Sequence, residues 1–236
     1  MKFLKFSLAT LFLIGIIFLS FQALSRLEKN SVDQSTQEVL KQKFHQNPDV
    51  YAWVSVDGTK IDYPIAQHPT DDSYYLSHDL DGAETYYGAI FTELVNTKTF
   101  EDSVTILYGH AMVDDSMFGS LDYFADRQFF EDHTVIRIDT LDHHYEYDIV
   151  AAHPYTDDHL FHNFQLGTKS GLNQYLDTLK ERVETYGGAY RQLSIDSEQD
   201  RVLILSTCDA ASDSYRYVVT AKLRTVSERT DTGYRR

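Results

Sequence analysis

Arg201–Arg216 reads RVLILSTCDAASDSYR and holds the one cysteine of the chain, Cys208, at the end of an apolar run. Val202, Leu203, Ile204 and Leu205 have the branched, unbroken apolar character of a strand buried on both faces, and a second such run, Arg216–Leu223, follows the polar loop Asp209–Tyr215. The two predict a hairpin-like antiparallel pair, in which the end of one strand lies beside the start of the next. A thiol at Cys208 and a guanidinium at Arg216 can then face one small volume. Positive charge favours the thiolate, which is the nucleophile, so such a thiol is reactive. The plain alternative is that Cys208 is a small buried hydrophobe. Against it, Ser206, Thr207 and Asp209 are poor core residues, so the apolar strand stops where the cysteine sits, and strand ends carry chemistry more often than strand middles.

Outward from this pair the texture is of short apolar runs divided by turn residues. Tyr51–Val56 and Ile61–Ala66 flank the tight-turn signal Asp57-Gly58 and predict a hairpin. Gly88–Glu93 and Val104–His110 predict two more strands, with Asp102-Ser103 as a turn between them, and Val135–Thr140 with His144–Pro154 a further pair. Met117–Phe124 reads as a short helix. Ser170–Tyr186 is the long helical stretch, with Leu172, Tyr175, Leu176, Leu179 and Val183 on one face and Gly187-Gly188 as its stop. About eight closely spaced, largely antiparallel strands and one sizeable helix predict a mainly β, closed barrel rather than a doubly wound sheet.

The bulk properties bound the partners. The chain has 236 residues, 42% hydrophobic and 14% aromatic, enough apolar mass for one good-sized core. Its formal charge is −15; the first 25 residues carry two lysines and no acid, so the rest holds 19 basic against 36 acidic residues, or −17. That argues against nucleic acid and an anionic membrane surface as partners of the domain. A single cysteine forbids an internal disulfide, which fits an exported bacterial protein. Phe6–Leu24 is free of charge, follows Lys2 and Lys5 and precedes Arg26, which predicts a single-pass transmembrane anchor with all that follows outside the cell. A cleaved signal peptide has a shorter apolar core and a small-x-small exit that Phe21–Ser25 lacks. The expected organisation is cytoplasmic start and anchor at 1–25, a helical spacer at 26–47 built on Ser31–Gln46 and stopped by Asn47-Pro48, a domain at 48–227 and a polar tail at 228–236.

The second chemical element is Val104–Met112, VTILYGHAM. Alternation puts Val104, Ile106, Tyr108 and His110 on one side, and Gly109 allows a close backbone approach just before the histidine. A strand-terminal histidine is a candidate acid and base. With ten histidines in the chain any one of them is more often a surface or satisfied core residue, but His110 ends an apolar strand as Cys208 does, whereas His143, His144, His159 and His162 fall in polar loops. Their closeness to Asp157 and Asp158 invites a metal reading; no H-x-x-x-H or C-x-x-C spacing supports it, and no metal or cofactor is expected.

LYGHAM followed by MFGSL, and LILSTC followed eight positions after the cysteine by Arg216 and then YVVTAKL, resemble a class B sortase. The long helix ahead of the final strand pair and the early VYAWVSVDGTKIDYPIAQ with GAIF downstream are also similar, so the resemblance runs from about Asp49 to Val226. It implies an eight-stranded sortase barrel and a membrane-tethered cysteine transpeptidase of a Gram-positive bacterium, with Cys208 as nucleophile, His110 as acid and base and Arg216 as oxyanion stabiliser. It further implies, as partners, surface proteins or pilins with a C-terminal sorting signal of the form Asn/Leu-Pro-x-Thr-x, cut after threonine, and an acceptor amine from the cell wall or from a pilin lysine. Asn96, Ser206 and Thr207 are its candidate substrate contacts, Asn96 being also readable as a plain turn residue. Ala111 and the short loop between Cys208 and Arg216 depart from the family pattern at places that bear on substrate preference. Ser31–Gln46 carries no aspartate-aromatic plug of the kind that lids class C pilin polymerases.

Two other classes remain at this point. A papain-like peptidase places cysteine before histidine and wants an orienting Asn or Asp, whereas here the histidine comes 98 positions earlier. A membrane-anchored binding domain with an inert cysteine is separated from an enzyme by thiol labelling.

Overall fold

A computed structural model describes residues 16–24, 37–156, 158–208 and 216–229. The chain falls into two units, Met1–Val39 and Leu40–Arg236. In the first, residues 16–24 are helical with Ile16, Ile17, Phe18, Leu19, Phe21 and Leu24 exposed. The remainder of the expected anchor, residues 6–15, lies outside the described residues. Among the described residues no helix is long and apolar enough to cross a membrane. The expected spacer helix is seen as α1, residues 37–46, and residues 31–36 of that expectation again lie outside.

In the second unit β1 (Val50–Val56) and β2 (Asp62–Ala66) form the expected hairpin, with Val54 opposite Tyr63. Its turn depends on Gly58, whose φ is +79° and at which a Cβ would lie 2.3 Å from the His133 ring. Then come α2 (Tyr74–Ser77), the two-residue β3 (Ile90–Phe91), β4 (Val104–His110), a 3-10 helix (Gly119–Ala125) and α3 (Arg127–Asp132). The side chain of Asp126 accepts from the Phe129 N–H at 2.8 Å and so caps α3. β5 (Val135–Thr140) and β6 (His143–Tyr155) pair antiparallel. α4 (Leu160–Phe164), α5 (Lys169–Tyr186), β7 (Ala189–Tyr190), β8 (Val202–Cys208) and β9 (Arg216–Glu228) complete the order. Thr168 caps α5 by accepting from the Gly171 N–H, and the helix stops at Gly187, φ +86°.

The strands follow the order β5-β1-β2-β3-β4-β8-β9-β6, and β6 returns to β5, so eight strands close into the expected barrel. β7 is a ninth, short strand attached to β6 through Ala151 and Tyr190. Most pairs are antiparallel as expected, but β2 with β3 and β4 with β8 run parallel. Val54, Ile65, Leu107, Ile138, Leu205 and Val219 belong to a cluster fed by all eight strands of the ring, which is its interior. Ile106, Ile204 and Val218 belong to a second cluster with Leu160, Leu172, Tyr175 and Leu179, so α4 and α5 cover the outer face of β4, β8 and β9. Burial on both faces is why β4 and β8 read as unbroken apolar runs. Ser206 and Thr207 are buried although they are poor core residues, and the strand ends at Cys208 as expected.

Other differences have local causes. His143 and His144 lie in β6, not in a loop: His144 is buried, with Nδ1 2.7 Å from Asp139 Oδ1, and Arg229 is ion-paired to the same carboxylate. β9 continues to Glu228, and the Arg229 N–H donates to the Asp142 carbonyl, so the tail expected from 228 begins inside the barrel wall.

Candidate active site and its relatives

Parallel pairing of β4 with β8 runs in register from Val104 with Val202 to His110 with Cys208. The two residues singled out in the sequence are therefore backbone partners at the same end of adjacent strands, which lie about 4.8 Å apart in any sheet. β9 enters beside them: Arg216 opens that strand opposite Tyr155 of β6, Val218 pairs with Ser206, and the Tyr217 N–H donates to Thr207 Oγ1 at 2.8 Å. The three expected catalytic positions thus share one rim of the barrel. The loop Asp209–Tyr215 lies outside the described residues.

His110 is 6% exposed and sits in a defined seat. Its Nε2 is 2.6 Å from the Leu76 carbonyl oxygen, which can only accept, so Nε2 carries the proton and Nδ1 is the nitrogen that gains and loses one. The Tyr86 ring stacks on the imidazole at 5.8 Å and 18°. Gly88, φ +58°, allows this: a Cβ there would lie 2.4 Å from the Tyr75 carbonyl oxygen and 3.2 Å from His110 Cδ2. The Phe118 N–H donates to the His110 carbonyl at 2.8 Å, which fixes the chain past the strand end. Gly109 has the close approach its position suggested, since a Cβ would stand 2.3 Å from Ile90 Cδ1. Leu76, Tyr86 and Gly88 were not found in the sequence; they come from segments between predicted strands, and only the folded chain brings them to the histidine.

Beside Thr207 and Arg216 lies a cleft of about 730 Å³. Pro154, Tyr155 and Thr156 from the end of β6, Arg182 and Tyr186 from α5, Tyr217 from β9, and Gly119 and Asp122 from the 3-10 helix line it. Burial, then Asp115, pushes the Asp122 carboxyl above its ordinary range, and burial pushes the Tyr217 phenol up as well. The Tyr217 hydroxyl is buried and has no hydrogen-bond partner among the described residues. Thr207, a candidate substrate contact, is on the cleft wall; Ser206 is fully buried behind it.

Asn96 lies elsewhere. Its amide donates to the Val104 carbonyl at 2.7 Å and its oxygen accepts from the Ile106 N–H at 3.0 Å, at the end of β4 away from His110. The expectation of a substrate contact there gives way to a backbone brace. His159 pairs with Glu93 at 2.7 Å, and Glu93 also accepts from the Tyr108 hydroxyl at 3.3 Å, so this loop histidine ties the start of α4 to β4.

Residues 54–224 match the family model for the sortase domain. Sortase B of Listeria monocytogenes is 32% identical over 197 residues, covering 83% of this chain and 78% of the relative. Among solved structures, a Staphylococcus aureus sortase B–substrate complex superposes with a TM-score of 0.68 at 26% identity, covering 86% of this chain and 98% of that one. A Streptococcus pyogenes class B sortase involved in pilus biogenesis gives 0.66 at 28% identity, covering 78% and 97%. The chain belongs to the sortase family. Its relatives make it a class B sortase, a cysteine transpeptidase.

Proposed function

We propose that Cys208 is the nucleophile of a transpeptidation, that His110 moves the protons and that Arg216 stabilises the oxyanion. The observation that carries this is the register of β4 and β8, which pairs His110 with Cys208 while Arg216 opens the adjoining strand. The thiolate attacks the carbonyl carbon of the threonine in a sorting peptide of the form Asn/Leu-Pro-x-Thr-x. The C–S bond forms, the carbonyl oxygen takes the negative charge, and the guanidinium offers it two N–H donors. Collapse breaks the C–N bond, and the leaving amine takes its proton from His110 Nδ1–H, whose Nε2–H stays on Leu76. The neutral imidazole then accepts a proton from the incoming amine as that nitrogen attacks the thioester, and the thiolate leaves. The product is a new amide.

The donor is a surface protein with a C-terminal sorting signal, and the acceptor an amine of the cell wall. A pilin lysine is the alternative acceptor, for which the pilus-biogenesis relative speaks. The protein acts at the outer face of the membrane through Phe6–Leu24, a reading supported by the uncharged run and by the helical, exposed residues 16–24. The full chain in detergent, incubated with a panel of such peptides, should show by mass spectrometry an acyl adduct on Cys208 that oligoglycine, a branched wall peptide or a pilin domain discharges. Cleavage of general wall peptides with no adduct from any sorting peptide would replace the sortase reaction by a peptidase one.

A further inference from the structure

In this acidic chain the arginines packed on the barrel are matched to carboxylates. Arg137 pairs with Asp57 at 2.7 Å, Arg191 with Glu131 at 3.4 Å, Arg224 with Asp148 and Arg229 with Asp139. Arg201 instead donates to the Phe100 carbonyl. Arg182 differs from all of these. Its guanidinium carbon stands 4.6 Å above the Tyr155 ring and 5.8 Å from that of Phe164, and its Nε donates to Thr178 Oγ1 at 3.3 Å. No carboxylate among the described residues lies within ion-pair distance of it. Tyr155 is itself fixed, 2% exposed with its hydroxyl accepting from Asn163 at 2.8 Å.

A guanidinium held over an aromatic face, on a half-buried residue and without an ion-pair partner among the described residues, is suited to receive a planar anion. It also lines the cleft beside Arg216. Among the described residues the charged ones of that lining are Arg182, Arg216 and Asp122, two cations to one carboxyl, in a protein whose total charge is −15. Arg216 has its own task at the oxyanion, so Arg182 is the surplus cation.

We infer that Arg182 is a specificity-determining residue that binds a carboxylate side chain of the donor peptide, so that sorting signals carrying an acidic residue at one of their variable positions, or just upstream of them, are the preferred substrates. This rests on the transpeptidase reading above. Arg182, Tyr155 and Thr156 form the wall along which an extended peptide leaves the Cys208 end of β8, and a carboxylate on it can form a two-pronged hydrogen-bonded pair with the guanidinium. The interaction is the same in the ground and transition states, so it acts on KM and leaves kcat unchanged.

The test uses the full chain in detergent with sorting peptides in which aspartate or asparagine is placed in turn at each variable position. At one position the aspartate peptide should acylate Cys208 with kcat/KM about tenfold above its asparagine twin, the size expected for a partly exposed charge-assisted pair. The preference should shrink in high salt and vanish in Arg182→Met, which keeps the apolar stem over Tyr155, the aspartate peptide losing about tenfold more than its asparagine twin. Arg182→Lys should restore part of it. Equal rates for both peptides at every position overturn the inference, as does an equal loss for both peptides in Arg182→Met. A preference confined to the second step, for acceptor amines with a neighbouring carboxylate, also overturns it. Failure of the underlying reading looks different: no peptide acylates Cys208 at all, and then charge-selective binding of the same peptides to Cys208→Ala, lost in Cys208→Ala/Arg182→Met, decides the inference by itself.

Discussion

The two ends of the β4–β8 pair are built on opposite rules. At the Val104 end Asn96 braces the backbone by accepting from the Ile106 N–H and donating to the Val104 carbonyl, Asp102 accepts from the Thr97 N–H at 2.7 Å, and Arg201 reaches the Phe100 carbonyl. Side-chain polarity there closes the fold. At the His110 end Thr207 Oγ1 accepts from the Tyr217 N–H and His110 is seated on the Leu76 carbonyl, while the polar side chains of Arg216, Arg182 and Asp122 line a cleft. One end of the strand pair stabilises and the other carries the proposed catalytic positions, and the same apolar middle serves both.

The largest effects should be at the reactive end and on rate alone. Cys208→Ala should abolish adduct formation, and Arg216→Lys, which cannot present a planar fork, should lower kcat about 10²–10³-fold. His110→Ala should fall in the same range or below it. Cys208→Ala and Arg216→Lys should unfold in denaturant at the wild-type midpoint; a shifted midpoint in either would mean that this end also holds the fold. Asn96→Ala should show the reverse. It leaves a buried N–H and a buried C=O of β4 unmatched, at about 1–3 kcal/mol each, so its midpoint should drop while turnover per folded molecule stays within about twofold. Loss of turnover without loss of stability would return Asn96 to the substrate.

The smallest effect concerns His153, fully buried on β6 opposite Val218 and thus close to the reactive end. Burial lowers its pKa to about 4, against its hydrogen bond to the Pro154 carbonyl, which raises it. The unfolded chain, near the ordinary value of 6.5, takes the proton first. Stability is therefore whole above that value and declines as pH falls toward 4, by about 2–3 kcal/mol at pH 4.5. Denaturant titrations at pH 7.5 and 4.5 should show that decline in the wild type and a smaller one in His153→Leu. Equal declines would assign the slope to other groups.

What could be read from residue types follows the same division. β4, β5, β8 and the face of α5 were legible because period and burial agree along their length. β3 shrank from Gly88–Glu93 to Ile90–Phe91, since Gly88 adopts positive φ and the partner strand β2 ends at Ala66, opposite Phe91. α2, α3 and α4 are four to six residues long, below the length at which a periodic pattern forms. His110 and Cys208 stood out as polar residues closing apolar strands, and Arg216 as the one that opens the next. Arg182 did not, because on a long amphipathic helix an arginine is the ordinary polar residue, and only the Tyr155 ring beneath it and the cleft beyond it give it a distinct role.

The parallel pairing of β4 with β8 also sets the order in which the molecule can be assembled. β8 lies between β4 and β9 in the ring, yet it is made after β5, β6, α5 and β7. A chain growing from its N-terminus holds β4 with one edge open until Val202–Cys208 has emerged, and this contact of high sequence separation forms slowly, after the local hairpins β1–β2 and β5–β6. No nascent fragment short of Cys208 contains both halves of the site. The proposed nucleophile and its proposed acid–base partner therefore come together only when nearly the whole barrel is present.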